Sequence, residues 1–387
     1  MKLEFETLNL KKDKLNIILQ SLERYKNEQN ITLKDHMKSK YLDLGEYILP
    51  LKKIYLDQKY WIYLRDVLQE HPQKFEHVTI YELLLKLIKN GIVICPISKN
   101  VFLELMKQSR LDTRIATAKV IDLFSKGITI KPFFDRCGIE LLHFFRQRMG
   151  NRELYPLESL VWNKVGFILG TMYPVSEAFV SPKDELAFQK SLIDLFWACN
   201  LEGMIKILGV KDNWPIHDWK GWATNLTQGK FDHENEFKTF EEVYCSELAG
   251  TLDALKEILA DVCNYIFESE TGKQVSKDSE NKYSCVQEFK NLIFHGFRLG
   301  RLTTELPSIR IQAGIYATMR INKQRKYKPN DFYDFGHATA ALPYCDYFFT
   351  EGSLKELITS KKLAFDSLYK CNVVSNENEV IHLLKAI

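Results

Sequence analysis

The chain has 387 residues, 45% hydrophobic and 27% charged, with 18 glycines and 11 prolines, a globular composition that excludes disordered and collagen-like chains. Lys and Arg total 53 against 50 Asp and Glu, a formal charge of +3; wholesale basicity is excluded, and any nucleic-acid surface has to be local. Eight scattered cysteines form no CxxC pair, which argues against a zinc knuckle or dithiol site, and the start Met1-Lys2-Leu3-Glu4-Phe5 is unlike a signal peptide. No stretch approaches 18 uninterrupted apolar residues, so a soluble, cytoplasmic protein with free thiols and no membrane partner is expected.

Residues 1–49 are polar, with Leu15, Ile18, Leu19 and Leu22 at helical intervals, and read as an N-terminal helical arm. Lys53-Ile54-Tyr55-Leu56-Asp57 is then a short apolar run that stops on an acid. Helical texture follows over 60–68 and 81–88, where Leu83, Leu84, Leu87 and Ile88 share a face. Asn90-Gly91 is a stop signal before a second buried strand, Ile92 to Pro96, and Ser98 can cap the next helix.

This strand–helix alternation implies a parallel sheet with helices packed on it. It fades after Ile130. From about 138 to 320 the texture is helical, over 141–149, 185–200, 240–267 and 287–299, with a polar loop expected over 268–284. The pattern returns with a helix over 332–341, a strand Tyr347–Thr350, a last strand Asn372–Ser375 and a closing helix over 377–385. Residues 50–130 and 325–387 together make roughly 140 residues, one ordinary domain. The expected organisation is therefore an α/β domain interrupted by a large, mostly helical insertion over 131–324.

In an open parallel sheet, binding groups collect past the carboxyl ends of the strands. Asp57 stands there after the first strand, and Glu104 on the helix after the second. Asp331 and Asp334 open a helix three residues apart, on one face. Asp346 begins the penultimate strand and Glu351 follows it. A lone acid after a strand is commonly a helix cap or turn residue, but acids from separate strand ends repel one another at low dielectric unless a cation neutralises them. Oxygen ligands of this kind suit Mg²⁺ or Mn²⁺, and such a centre activates water and stabilises the leaving oxygen of a phosphodiester.

Four segments, in order, resemble the motifs of PIN-like nuclease domains. Ile54 to Ile62, with Asp57 ending the strand, is similar to the first motif; Pro96-Ile97-Ser98 with Glu104-Leu105 is similar to the second. Asp334-Phe335-Gly336-His337-Ala338-Thr339-Ala340 resembles the third, an Asp heading an alanine-rich helix, and Leu342 to Thr350 resembles the last. The match spans only the two α/β segments. Gln58-Lys59 stands where many relatives have Thr-Asn, and Glu351 where Asp is commoner, so Asp346 and Glu351 are both open as the fourth acid. The resemblance implies a PIN-like fold and metal-dependent hydrolysis of phosphodiesters, most often in RNA. It implies that Asp57, Glu104 and Asp334 are inner ligands of Mg²⁺ or Mn²⁺. Asp346 would hold a second metal or a bridging water, and Thr350 would orient an acid or the attacking water. Ser98 would do likewise or serve as a plain helix cap.

Five of the nine residues from 320 to 328 are basic. Arg320, Lys323, Arg325, Lys326 and Lys328, with Tyr327 among them, form a candidate strand guide in which cations meet phosphates and the ring stacks on a base. Lys107, Arg110 and Arg114 could extend that groove or be solvated helix. His337, one turn past Asp334, could touch a phosphate, although a packed structural histidine is the commoner reading. The Trp-rich segment from Asn213 to Trp222 reads as a packed loop. No GxGxxG, Walker loop, GxSxG or HExxH is present. The expected function is a PIN-like endoribonuclease, with a protein regulator or homo-oligomer as its control. The alternatives are a catalytically inactive scaffold that binds nucleic acid and a DNA nuclease, since contacts to the 2′-OH leave no sequence signature.

Overall fold

The computed structural model describes residues 12–28, 31–150, 154–172, 181–209, 218–275, 283 and 285–387. Six strands are present among them: β1 (Lys52–Leu56), β2 (Val93–Ile94), β3 (Ile128–Ile130), β4 (Trp162–Lys164), β5 (Tyr347–Phe349) and β6 (Asn372–Val374). Four form one parallel sheet in the order β2-β1-β5-β6. Leu56 pairs with Phe349, and Phe349 with Val374, so the carboxyl ends of β1, β5 and β6 finish level.

These strands form because their apolar runs are buried on both faces, as parallel sheets require. Ile54, Tyr55, Leu56, Phe348 and Phe349 are all fully buried. Flanking helices Gln58–Leu68, Phe75–Lys89, Lys99–Lys107, Asp331–Ala341 and Glu377–Ala386 contribute Trp61, Leu84, Phe102, Ala338 and Val380 to the same core. Ser98 caps the third of these helices as expected, accepting the Asn100 N–H at 3.2 Å.

Where the alternating pattern fades, a separate two-stranded sheet of β3 and β4 is joined on through Ile97. Ile97 N–H donates to the Ile128 carbonyl and Ile130 N–H to the Ile97 carbonyl, and β4 then pairs antiparallel with β3. Trp162, Val165, Leu201 and Ile315 belong to the main core, so part of the 131–324 segment is built into the α/β unit. The remainder forms a helical lobe: Phe133–Arg148, Phe240–Ala254, Lys256–Thr271, Val286–Arg298 and Pro307–Ile321 surround a second core around Leu141, Leu252, Leu259, Ile293 and Ile309. The long helix expected over 240–267 is two helices, interrupted at Leu255. Its second half runs on to Thr271, inside the segment expected as a loop. Residues 276–282 and 284 of that loop lie outside the described residues, as do residues 213–217 of the Trp-rich segment.

A buried polar network joins lobe to sheet. Glu140 accepts hydrogen bonds from Ser308 Oγ and Tyr344 Oη, both at 2.5 Å, and from the Ser308 N–H at 3.0 Å. Arg136 donates to Ser308 Oγ, to the Lys131 carbonyl and to Thr339 Oγ1. Burial still holds the Glu140 carboxyl above its ordinary range despite these donors.

The N-terminal arm consists of helices Lys12–Asn27 and Leu33–Ile48; the side chains of Leu15, Ile18 and Leu19 lie outside the described residues. The arm is fastened by Asp194 on the Pro182–Trp197 helix, which takes Tyr25 Oη at 2.5 Å, His36 Nε2 at 3.0 Å and Lys40 Nζ at 2.8 Å. No described helix is long and apolar enough to cross a membrane.

Candidate metal centre

At the carboxyl end of β1, the Asp57 N–H extends the ladder to the Phe349 carbonyl at 3.0 Å. Asp57 occupies the N-cap position of the Gln58–Leu68 helix, but its carboxylate makes no capping bond there. Its Oδ2 instead accepts the Thr350 hydroxyl at 2.9 Å. Both side chains are buried. The acid is thereby turned across the sheet end, toward the helices that follow β2 and precede β5.

Those helices supply the rest. Glu104 lies in the Lys99–Lys107 helix, and Asp334 and His337 lie one turn apart on the Asp331–Ala341 helix. Their approach depends on Gly336: a Cβ built there would fall 1.6 Å from Asn100 Nδ2 and 2.6 Å from Asn100 Cγ. A side chain at Gly336 would displace the Asn100 amide that fills this space. One donor atom each of Asp57, Glu104 and His337 lies within 4.8 Å of the other two.

His337 is fully buried, with Nε2 2.8 Å from Glu104 Oε2 and Nδ1 2.7 Å from Tyr55 Oη. Tyr55 Oη in turn lies 2.5 Å from Ser98 Oγ. Burial keeps the Tyr55 phenol protonated, so it has one proton to donate along this chain. For His337, burial favours the neutral ring, but the charge and hydrogen bond of Glu104 outweigh it and push its pKa up to about 9. Asp334 is pushed up to about 7 by burial and by the charges of Asp57, Glu104 and Glu351, with His337 opposing. The pocket therefore holds more negative charge than its one imidazole offsets, a condition that a bound cation relieves.

Sequence spacing passed over His337 as a member of this group, although its position one turn past Asp334 puts it on the same helical face. Asp334 adds its charge beside this group without a donor atom in it, and two further sequence-derived acids stand apart from it. Asp346 precedes β5 and so sits at the amino end of the sheet, where it pairs with Lys52 Nζ at 3.0 Å and accepts the Lys53 N–H at 2.8 Å. At about 3.3 Å per residue, the four residues from Lys53 to Asp57 place it about 13 Å from the other acids; it corrects the expectation of a second metal ligand. Asp331 accepts the Lys328 N–H at 2.8 Å and faces Arg325 at 3.7 Å, tightening the turn before its helix. Glu351 is exposed, at the carboxyl end of β5, and lies at the rim of the cluster.

The basic segment is largely committed to local acids. Arg320 meets Glu247 at 2.9 Å and Glu236 at 3.7 Å, Lys323 meets Glu234 at 3.7 Å, and Arg325 meets Asp331. Tyr327 is buried, its ring parallel to Phe332 and its N–H donating to Thr227 Oγ1; it cannot stack on a base from there. Lys326 and Lys328 are exposed. Of the second basic set, Arg114 is buried against the Gln108 carbonyl and Arg110 pairs with Asp112. Lys107 lies with Nζ 3.5 Å from the Tyr333 ring centroid, close enough to Glu104 and Asp334 to feel both charges.

No protein-family model, curated protein or solved structure matches this chain.

Proposed function

We propose that the chain is a PIN-like, metal-dependent nuclease that hydrolyses phosphodiesters, with RNA the substrate on the strength of its motifs. The observation that carries this reading is the convergence of Asp57, Glu104 and Asp334 at the carboxyl edge of a parallel sheet. They come from three separate segments; Asp57 and Glu104 bring donor atoms close together, and Asp334 is held at a raised pKa by burial and then by the charges of those two acids. A protein that used this end of the sheet only for packing would gain nothing from gathered, mutually repelling carboxylates.

Asp57 and Glu104 would hold a divalent cation, Mg²⁺ or Mn²⁺, with Asp334 beside them. Such an ion lowers the pKa of water and stabilises charge on a phosphoryl oxygen. The chain's own contribution is placement. Thr350 fixes one Asp57 oxygen and leaves the other free. The Ser98-capped helix carries Glu104 in at a set height. Lys107, near Glu104 and Asp334, would offer a counter-charge to a bound phosphate, and exposed Lys326 and Lys328 lie on the segment leading to Asp334. The helical lobe and the arm would form the walls of the groove.

The test is incubation of the full chain with labelled single-stranded RNA and DNA in Mg²⁺, Mn²⁺ or chelator, beside Asp57→Asn. Metal-dependent cleavage of RNA that the variant loses supports the reading; cleavage of DNA alone moves the substrate. Oligonucleotide binding without cleavage under every metal condition overturns it in favour of a scaffold.

A further inference from the structure

The site contains a donor that an all-carboxylate centre does not need. We propose that His337 Nε2 is itself a metal ligand beside Asp57 and Glu104, making a mixed nitrogen–oxygen site that prefers Mn²⁺ to Mg²⁺. The inference rests on the metal-centre reading above and specifies it.

Three observations carry it. First, His337 Nε2 and Glu104 Oε2 are 2.8 Å apart, and one donor atom of each residue lies within 4.8 Å of an Asp57 oxygen. Two metal–donor bonds of about 2.1 Å at a right angle put their donors about 3.0 Å apart, so this pair is already at the spacing of adjacent ligands. Second, the other ring nitrogen is occupied: Nδ1 meets Tyr55 Oη, and Tyr55 Oη meets Ser98 Oγ. With Nδ1–H donating to Tyr55 and the phenol O–H donating to Ser98, Nε2 is the nitrogen that faces Glu104, and an arriving cation would take the place of the proton shared between them. A ligating histidine is commonly anchored through its second nitrogen in this way, which fixes both tautomer and ring orientation. Third, the ring is fully buried on the helix that also carries Asp334, so its aim does not depend on a mobile side chain. Imidazole nitrogen strengthens binding along the first-row series, whereas Mg²⁺ favours oxygen alone.

The experiment is Mn²⁺ titration of the metal-free full chain followed by pulsed EPR, together with Mn²⁺ and Mg²⁺ affinities for wild type, His337→Gln, Tyr55→Phe and Asp57→Asn. Glutamine fills much of the imidazole's space and can still bond to Tyr55, and circular dichroism checks each fold. The expected result is strong ¹⁴N coupling to bound Mn²⁺ in the wild type that vanishes in His337→Gln, with a Mn²⁺ affinity at least tenfold weaker and Mg²⁺ affinity little changed. Tyr55→Phe keeps the coupling and weakens Mn²⁺ about tenfold, as loss of an outer-shell partner does. Mn²⁺ that binds in an Asp57-dependent manner without ¹⁴N coupling, and equally well to His337→Gln, overturns the histidine ligand and leaves the acid centre standing. Absence of any Asp57-dependent Mn²⁺ binding overturns both.

Discussion

Gly336 and Asn100 touch across the seam between two helices, and a single methyl group at Gly336 would occupy the space of the Asn100 amide. That contact lies between the helix carrying Glu104 and the helix carrying Asp334 and His337. Gly336→Ala is therefore expected to cost about 1–3 kcal/mol, the range for overpacking a tight interface, and to weaken divalent-ion binding as the helices part. Chemical denaturation and Mn²⁺ titration check both. The double variant Gly336→Ala/Asn100→Ala, which vacates the space again, should recover most of the metal affinity.

The two ends of the sheet make a second, opposite pair of expectations. Asp57→Asn should abolish metal-dependent cleavage. Asp346→Asn should leave cleavage and metal affinity at wild-type levels and cost about 1 kcal/mol of stability, since Asp346 is a partly exposed partner of Lys52 and of the Lys53 N–H. Parallel activity assays and urea melts separate them.

Acid should loosen the N-terminal arm. Burial raises the Asp194 carboxyl, but the hydrogen bonds from His36, Lys40 and Tyr25 together outweigh it and hold the group well below the usual carboxylate range. A depressed folded-state pKa contributes stability above the unfolded value of about 3.9 and loses it as pH falls toward the folded one. The melting-temperature gap between wild type and Asp194→Asn should thus be constant above about pH 5 and narrow below about pH 4.

Nucleic-acid affinity should divide the basic segment. Lys326→Ala and Lys328→Ala are expected to weaken oligonucleotide binding and each to reduce the salt slope by about 1. Tyr327→Ala should destabilise the fold, by about 3–5 kcal/mol as for other buried aromatics, while Tyr327→Phe binds like wild type. Fluorescence anisotropy across a salt series, in chelator so that no substrate is cut, measures these differences.

The four parallel strands were legible because each is a compact apolar run with an acid or turn residue at its border, and burial on both faces leaves no other pattern. β4 was not: Trp162-Asn163-Lys164 places two polar residues in three. Asn163 is nonetheless buried, satisfied by donating to the Phe167 carbonyl, a solution that no periodicity signals. Asp57 could be placed at a strand end because it directly follows β1, whereas Glu104 and Asp334 lie on helices away from the strand ends and were singled out by the resemblance of their segments to known motifs. Asp346 was misplaced through neglect of strand polarity, since a residue entering a parallel strand stands at the end away from one leaving it. The partners of Arg320 and Lys323 lie 73 to 89 positions upstream, among Glu234, Glu236 and Glu247, and only the folded chain brings them together.

The Glu140–Arg136 network has a mechanical consequence. Its donors and acceptors alternate between the lobe (Arg136, Glu140, Ser308) and the sheet side (Thr339, Tyr344), and Thr339 is half a turn from His337 on the same helix. Drawing the two masses apart would strand an ionisable carboxyl and a guanidinium in an apolar seam, a cost of several kcal/mol per ion. Lobe and sheet are therefore locked into one body along this seam, and the helix that carries His337 is held with them.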